Sequence, residues 1–348
     1  MSDSAPTASA APSAAPPPAP ALSVAPGPHI VSGALTTRRM MLDVILAALP
    51  LVAISLALFR QYAAFQIGIS VAGALAAERL FGAMRRRPST LGDLSAAVTG
   101  LILGLSLPAA APWYVGVIGA FAGIGFGKAV FGGLGQNIFN PAMVGRAFVM
   151  IAFPAALGAT AYVAPELGVD ALTQATPLTA FKMSGQATAL GPLFLGWTNG
   201  SIGETSALAA LIGGLYLCAR GTAAWRIPAG AILALAALAG LPDLFRATPW
   251  TVAHQFASGA FLFGAFFIAT DPVSSPLTPK GQWIFGAGFG ALVLLIRKLS
   301  GYPEGVMFSV LLMNSVAPLI NRWTIPTPVG GPVPQARKGG KAETDSKS

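Results

Sequence analysis

Charge is what this 348-residue chain has least of: Lys, Arg, Asp and Glu together make up 9% of it, against roughly 25% in a soluble globular protein. That shortage excludes an ordinary soluble enzyme. The single cysteine, Cys218, cannot form an internal disulfide and cannot alone supply the four thiolates of an iron–sulfur cluster or a structural zinc. Redox chemistry in this chain therefore needs another cofactor. The two histidines, His29 and His254, are far apart and lack metal-ligand spacing, so no metal site is expected. No Walker loop, no dinucleotide fingerprint after a strand and no Ser/His/Asp ordering is present. What is abundant is apolar: 54% hydrophobic residues, 41 Gly and a mean hydropathy of +0.68. Glycine is frequent in membrane helices because it lets backbones approach closely, so the composition predicts an all-α polytopic membrane protein.

A membrane span needs about 20 apolar residues, fewer where neighbouring helices bury it. Gly, Pro and charge clusters divide the sequence into about ten spans, at 42–59, 62–77, 94–107, 113–131, 142–160, 205–219, 227–241, 256–270, 283–296 and 306–320. The third, sixth, eighth and ninth are short and must be broken or sheltered. Before them, residues 1–37 form an Ala/Pro-rich segment too poor in large apolar side chains to order itself, and 336–348 form a second short tail. The membrane domain is then 38–335. With the N-terminus inside, fifteen Lys and Arg fall on the cytoplasmic side, five (Arg60, Lys182, Arg246, Arg297 and Lys298) fall outside, and Arg146 lies within a span. This bias places both termini in the cytoplasm and assigns the net charge of +9 to topology and anionic lipid, not to nucleic acid. The longest connection, about 161–204, is then outside, and a long loop of this kind is usually functional.

Residues 119–150 and 286–314 share a plan: a Gly-rich span, a polar break, then a second apolar span. The breaks follow spans four and nine. An offset of five inverts one half relative to the other, so two inverted repeats of five spans are expected, with a site between them. Asn140, Asp271 and Glu304 stand beside Pro or at span ends, as candidates for an ion path or flavin pocket; the plainer expectation is that Asn140 and Asp271 satisfy backbone groups freed at breaks. Arg146 is expected to snorkel to the cytoplasmic interface. Asp43 and Asp93 read as acids at helix N-termini. The six Trp read as interfacial belt residues.

The outer loop contains Asp170-Ala171-Leu172-Thr173-Gln174-Ala175-Thr176-Pro177. Pro177 biases the residues before it toward an extended conformation that presents the Thr176 hydroxyl. This segment resembles the flavinylation motif of the D subunit of the Rnf ion-translocating oxidoreductase and of the B subunit of the sodium-pumping NADH:quinone oxidoreductase. Gln174 stands where the family pattern usually has Gly. Residues 39–44 (Arg-Met-Met-Leu-Asp-Val), 139–146 (Phe-Asn-Pro-Ala-Met-Val-Gly-Arg), 269–276 (Ala-Thr-Asp-Pro-Val-Ser-Ser-Pro) and 301–306 (Gly-Tyr-Pro-Glu-Gly-Val) extend the resemblance over most of the chain. The Ala/Pro tail in place of a long N-terminal extension favours the Rnf member. The resemblance implies FMN joined by its phosphate to the hydroxyl of Thr176, with Asp170 and Thr173 as motif positions read by a flavin transferase. It also implies a noncovalent flavin, such as riboflavin, within the membrane. The implied partners are the A and E membrane subunits of Rnf, its flavin-bearing G subunit, and the peripheral iron–sulfur B and C subunits carrying the NAD site. The expected setting is the bacterial inner membrane, with the flavin loop periplasmic and redox between ferredoxin and NAD coupled to sodium or proton movement. The competing expectations are a flavin-free solute channel or transporter of urea-transporter-like architecture and a scaffold with an inert Thr176.

Overall fold

A computed structural model describes residues 36–86, 90–164, 167–173, 175–243, 249–300 and 304–326. Most of the first expected tail, all of the second, His29, Gln174 and the 301–303 part of the second break lie outside them.

Among the described residues the chain is helical, without a strand; its one isolated bridge joins Pro108 to Ser201. α1 (Thr37–Phe59) and α2 (Gln61–Met84) are separated by Arg60 alone. α3 (Ser95–Ser106) and α4 (Trp113–Ile124) follow, the latter continued by a π turn, Gly125–Ala129. Next come α5 (Pro141–Ala152) and the one-turn α6 (Pro154–Leu157). α7 (Pro177–Ser184) and α8 (Leu190–Leu195) lie in the long connection. α9 (Ala207–Ala219), α10 (Arg226–Asp243), α11 (Val252–Ala257) and α12 (Phe261–Phe263) lead into a second π turn at Gly264–Ile268. α13 (Pro279–Leu299) and α14 (Val306–Thr324) complete the order.

α1, α2 and α13 are each long and apolar enough to cross a membrane, and α3, α5, α9 and the 226–240 stretch of α10 are shorter apolar helices. Two of the expected short spans are short here, at 12 residues in α3 and 13 in α9. The eighth is broken at Ser258–Gly259 into α11 and the α12 segment. The ninth is a correction: α13 runs 21 residues, because Pro279 starts the helix earlier than the Trp283 at which the apolar run begins, and Arg297 and Lys298 continue it past that run's end.

Glycine contacts set how closely these helices pack. A β-carbon on Gly123 would stand 2.5 Å from the Pro141 carbonyl oxygen, and one on Gly145 would strike the Gly119 carbonyl, so α4 and α5 cross backbone to backbone. Gly286 and Gly290 do the same for α13 against Ile227 and Ala231 of α10. Large side chains then fill the remaining space: Phe261, Phe263, Phe285 and Phe289 are almost fully buried.

Three ion pairs tie the described helices together. Glu78 of α2 meets Lys128 of the first π turn at 2.8 Å, Arg220 meets Asp43 at 3.3 Å, and Arg297 meets Glu304 at 3.2 Å. Asp43 is therefore not a solvated helix-start acid. It lies well inside α1, 2% exposed, and receives Thr222, Tyr216 and Arg220 from the end of α9 and just beyond. Asp93 does act at a helix start, accepting the N–H and hydroxyl of Ser95.

Candidate functional site

Thr176 is extended (φ −62°, ψ 148°), as expected of a residue before Pro177, and it also serves as the N-cap of α7, with Pro177 at the first helical position. Its Oγ1 accepts the Thr179 N–H at 3.4 Å and donates to Thr179 Oγ1 at 2.9 Å. α7 is pinned at two points. Phe181 stacks on Trp250 with ring centroids 4.4 Å apart, and Lys182 Nζ donates to the Ser300 carbonyl at 3.0 Å. Trp250 in turn packs against His254, whose ring nitrogens meet Thr251 and the Thr188 carbonyl. Trp250 is thus a buried core residue and not a belt residue, whereas Trp113, Trp197, Trp225 and Trp323 are exposed.

Thr176 is itself mostly buried, and it borders a cavity of about 30 Å³ whose polar lining is Tyr162, Thr198, Asn199, Glu204 and Glu304. That volume takes one or two waters. A flavin ring cannot enter it. Thr176 Oγ1 lies at the N-terminus of α7, where the helix dipole places partial positive charge and its cap already takes up the Thr179 N–H.

Glu304 enters this cavity as a helix cap. Its Oε1 accepts the N–H groups of Gly305 and Val306 at the start of α14, and its Oε2 accepts Ala260 N–H at 3.0 Å. Arg297 Nη2 bridges the carboxylate to the Ser258 carbonyl, and its Nη1 holds Gln255. The break in the eighth span is therefore held together by the end of the ninth and the start of the tenth.

Asn140 and Asp271 form a different cluster. Asn140 Oδ1 caps α5 by accepting from Ala142 and Met143, its N–H donates to Asn314 Oδ1 at 3.1 Å, and its Nδ2 donates to Asp271 at 3.4 Å. Asp271 also accepts Val273 N–H and the Ser274 hydroxyl, and Asn314 Nδ2 reaches the Ser274 carbonyl. These contacts satisfy the polar groups of two helix breaks, which is the plainer of the two expected roles. The structure thus separates the three intramembrane candidates: Asn140 pairs with Asp271, and Glu304 joins Thr176.

Asp170 is exposed on a 3₁₀ turn (Asp170–Thr173) whose Leu172 is buried and anchors it. The Thr173 side chain lies outside the described part. Arg146 corrects the expectation of snorkelling: it is 8% exposed and lies within electrostatic reach of Tyr162 and Glu204. Sequence reading missed Glu204, Tyr162 and Thr179. Glu204 could have been found as an acid immediately before a short span, the same signal that marked Glu304.

Helices closely packed on glycine, with buried charges and helix caps at their breaks, define a helical multi-pass membrane protein. The chain belongs to the NQR2, RnfD, RnfE family, whose sequence profile matches residues 23–330. It is 42% identical over 307 residues to the D subunit of the Na(+)-translocating ferredoxin:NAD(+) oxidoreductase complex of Acetobacterium woodii, covering 87% of this chain and 93% of the relative. It is 40% identical over 322 residues to the D subunit of the proton-translocating ferredoxin:NAD(+) oxidoreductase complex of Clostridium ljungdahlii, covering 88% and 96%. The D subunit of the ion-translocating oxidoreductase complex of Actinobacillus succinogenes is also 40% identical, over 344 residues, with 87% and 96% covered.

Proposed function

We propose that this chain is the D-type membrane subunit of an ion-translocating oxidoreductase that couples electron transfer between ferredoxin and NAD to sodium or proton movement. It carries FMN esterified through its phosphate to Thr176. The observation that carries this reading is the setting of Thr176, a buried hydroxyl on extended backbone at the N-cap of α7, a helix fixed by the Phe181–Trp250 stack, in a chain whose relatives are named for that reaction. FMN supplies one- and two-electron redox chemistry. The protein supplies the link and the local charge. With FMN linked there, Thr179, whose hydroxyl and N–H both meet Thr176 Oγ1, would be the residue that holds the link. Asp170, exposed and upstream, is the recognition position for a flavin transferase, with Thr173 in the same turn.

The reading includes ten spans in two inverted repeats, both termini cytoplasmic and the 161–204 connection periplasmic in a bacterial inner membrane. Two parallels support the repeat. Each Gly-rich span ends on a buried cation with a carboxylate partner, Lys128 on Glu78 and Arg297 on Glu304. Each following span is capped by a polar side chain, Asn140 or Glu304. The A, B, C, E and G subunits complete the complex, with riboflavin as a second, noncovalent flavin.

Ultraviolet in-gel fluorescence of denatured protein, coexpressed with a flavin transferase, tests the link. Wild type is fluorescent, Thr176→Ala is dark, and both reach the membrane in equal amount. A dark wild-type band beside a bright flavinylated control overturns the reading and leaves a flavin-free transporter of urea-transporter-like architecture.

A further inference from the structure

The cavity under Thr176 contains a carboxyl group that flavin attachment does not use. Glu204 lies in the turn before α9. Its Oε1 accepts the Ser201 N–H at 2.7 Å, while its Oε2 is sealed from solvent with no hydrogen-bond partner. The turn cannot swing out to rescue it. Ile202 and Gly203 donate their N–H groups to the carbonyls of Leu107 and Leu105 at 3.0 and 2.6 Å, and Ser201 is held by the Tyr162 hydroxyl at 3.1 Å. A β-carbon on Gly203 would come within 2.8 Å of Leu105, so the turn lies flush against α3.

An ionised carboxylate with a buried, unpartnered oxygen is costly, and in practice such a group is paired or takes up a proton. Among the described residues, pairing is not on offer. Arg297 is already bound to Glu304, Gln255 and Ser258. Arg146, from α5, acts on Glu204 only from outside ion-pair distance, and Lys182, from α7, acts on Glu304 and Arg297. The remaining neighbours are Tyr162, which brings no positive charge, and Glu304, a second carboxylate in the same small cavity. Two carboxyl groups sharing a site do not both ionise readily. Burial first, and then Glu304, push the Glu204 carboxyl above the ordinary range, against the pull of Arg146 and the hydrogen bonds from Ser201.

We propose that Glu204 is a proton-binding site on the outer side of the protein: its Oε2 holds a proton at neutral pH and exchanges it through the water-sized cavity beside Thr176. The balance is simple, with one proton taken from cavity water onto Oε2 and returned to water, and no change of oxidation state. Its use as a proton store for redox chemistry at Thr176 rests on the flavin reading; the occupancy of the site does not.

The test is infrared spectroscopy of the intact purified complex at pH 7, in water and in deuterium oxide, reading the stretching band of protonated carboxyl groups. The expected result is a band that shifts on deuteration, disappears in Glu204→Gln and persists in Thr176→Ala. If Glu204→Gln fails to assemble, Glu204→Asp keeps an acid in an altered setting, and the band must move. Superimposable wild-type and Glu204→Gln spectra in this region overturn the proposal. So does an ionised-carboxylate band in wild type that responds to exchange of sodium for potassium, since the occupant is then a metal cation. Flavin fluorescence on the same samples keeps the two readings apart. Fluorescence without the band sinks only the proton site, and the band without fluorescence sinks only the flavin link.

Discussion

The Glu78–Lys128 pair makes a quantitative prediction about what holds the first five helices together. Lys128 is 3% and Glu78 9% exposed, the N–O distance is 2.8 Å, and the ammonium also donates to Ser95 Oγ at 2.7 Å. At this separation and an effective dielectric of ~20 the attraction is about 6 kcal/mol, most of it offset by desolvation of the two ions. Glu78→Gln keeps the shape but leaves the buried ammonium with neutral partners. Breaking a buried pair in this way costs about 3–5 kcal/mol, and because Ser95 remains, the lower end applies. At roughly 2–4 °C per kcal/mol for a chain above 150 residues, the unfolding midpoint in detergent falls by about 6–12 °C. Glu78→Leu combined with Lys128→Met removes both charges and recovers most of the loss, because a buried pair replaced by packed apolar groups is close to neutral. The measurement is thermal unfolding followed by circular dichroism, on wild type, the single variant and the double variant. A shift below about 2 °C in Glu78→Gln, or a double variant no more stable than the single one, refutes the reasoning.

Gly145→Ala forces a β-carbon against the Gly119 carbonyl and is expected to cost about 1–3 kcal/mol in the same assay, whereas Gly68→Ala, with no atom within 4 Å of the new carbon, is neutral or stabilising by up to about 1 kcal/mol. The raised Glu204 carboxyl also makes a prediction with a definite sign. In the range between the unfolded and folded values the native state binds the extra proton, so this contribution is complete below the unfolded value and is lost as pH rises through the folded one. Stability measured from about pH 5 to 8 should therefore decline more steeply in wild type than in Glu204→Gln; an equal or steeper decline in the variant contradicts it.

Much of this architecture was legible in the chain itself. The low charge and high glycine content required buried helices, and the Pro and Gly breaks located most of their ends. Two local features were visible, the break at Asn140 before Pro141 and the extended backbone of Thr176 before Pro177, because residues preceding Pro are governed by their immediate neighbours; that both cap helices came from the structure. The same locality explains the failures. Asp43 stands near the start of the first apolar run in sequence, and nothing local shows that Thr222, Tyr216 and Arg220 come from 173 or more residues away to bury it. Arg146 reads as a snorkelling cation until α5 is placed with its charge toward Tyr162 and Glu204.

The sequence by itself determined the apolar surroundings this protein needs and its helical character, since these depend on composition and on hydropathy over a span. Only the tertiary structure decided which charges meet. It separated Glu304 from Asp271, placed it with Thr176 in the lining of one cavity, and left Glu204, in that same lining, with a buried oxygen that has no partner. Desolvation and Coulomb interactions depend on distance and burial, and both are fixed by how the helices cross, a property that close glycine contacts between remote segments set and that no local stretch of sequence contains.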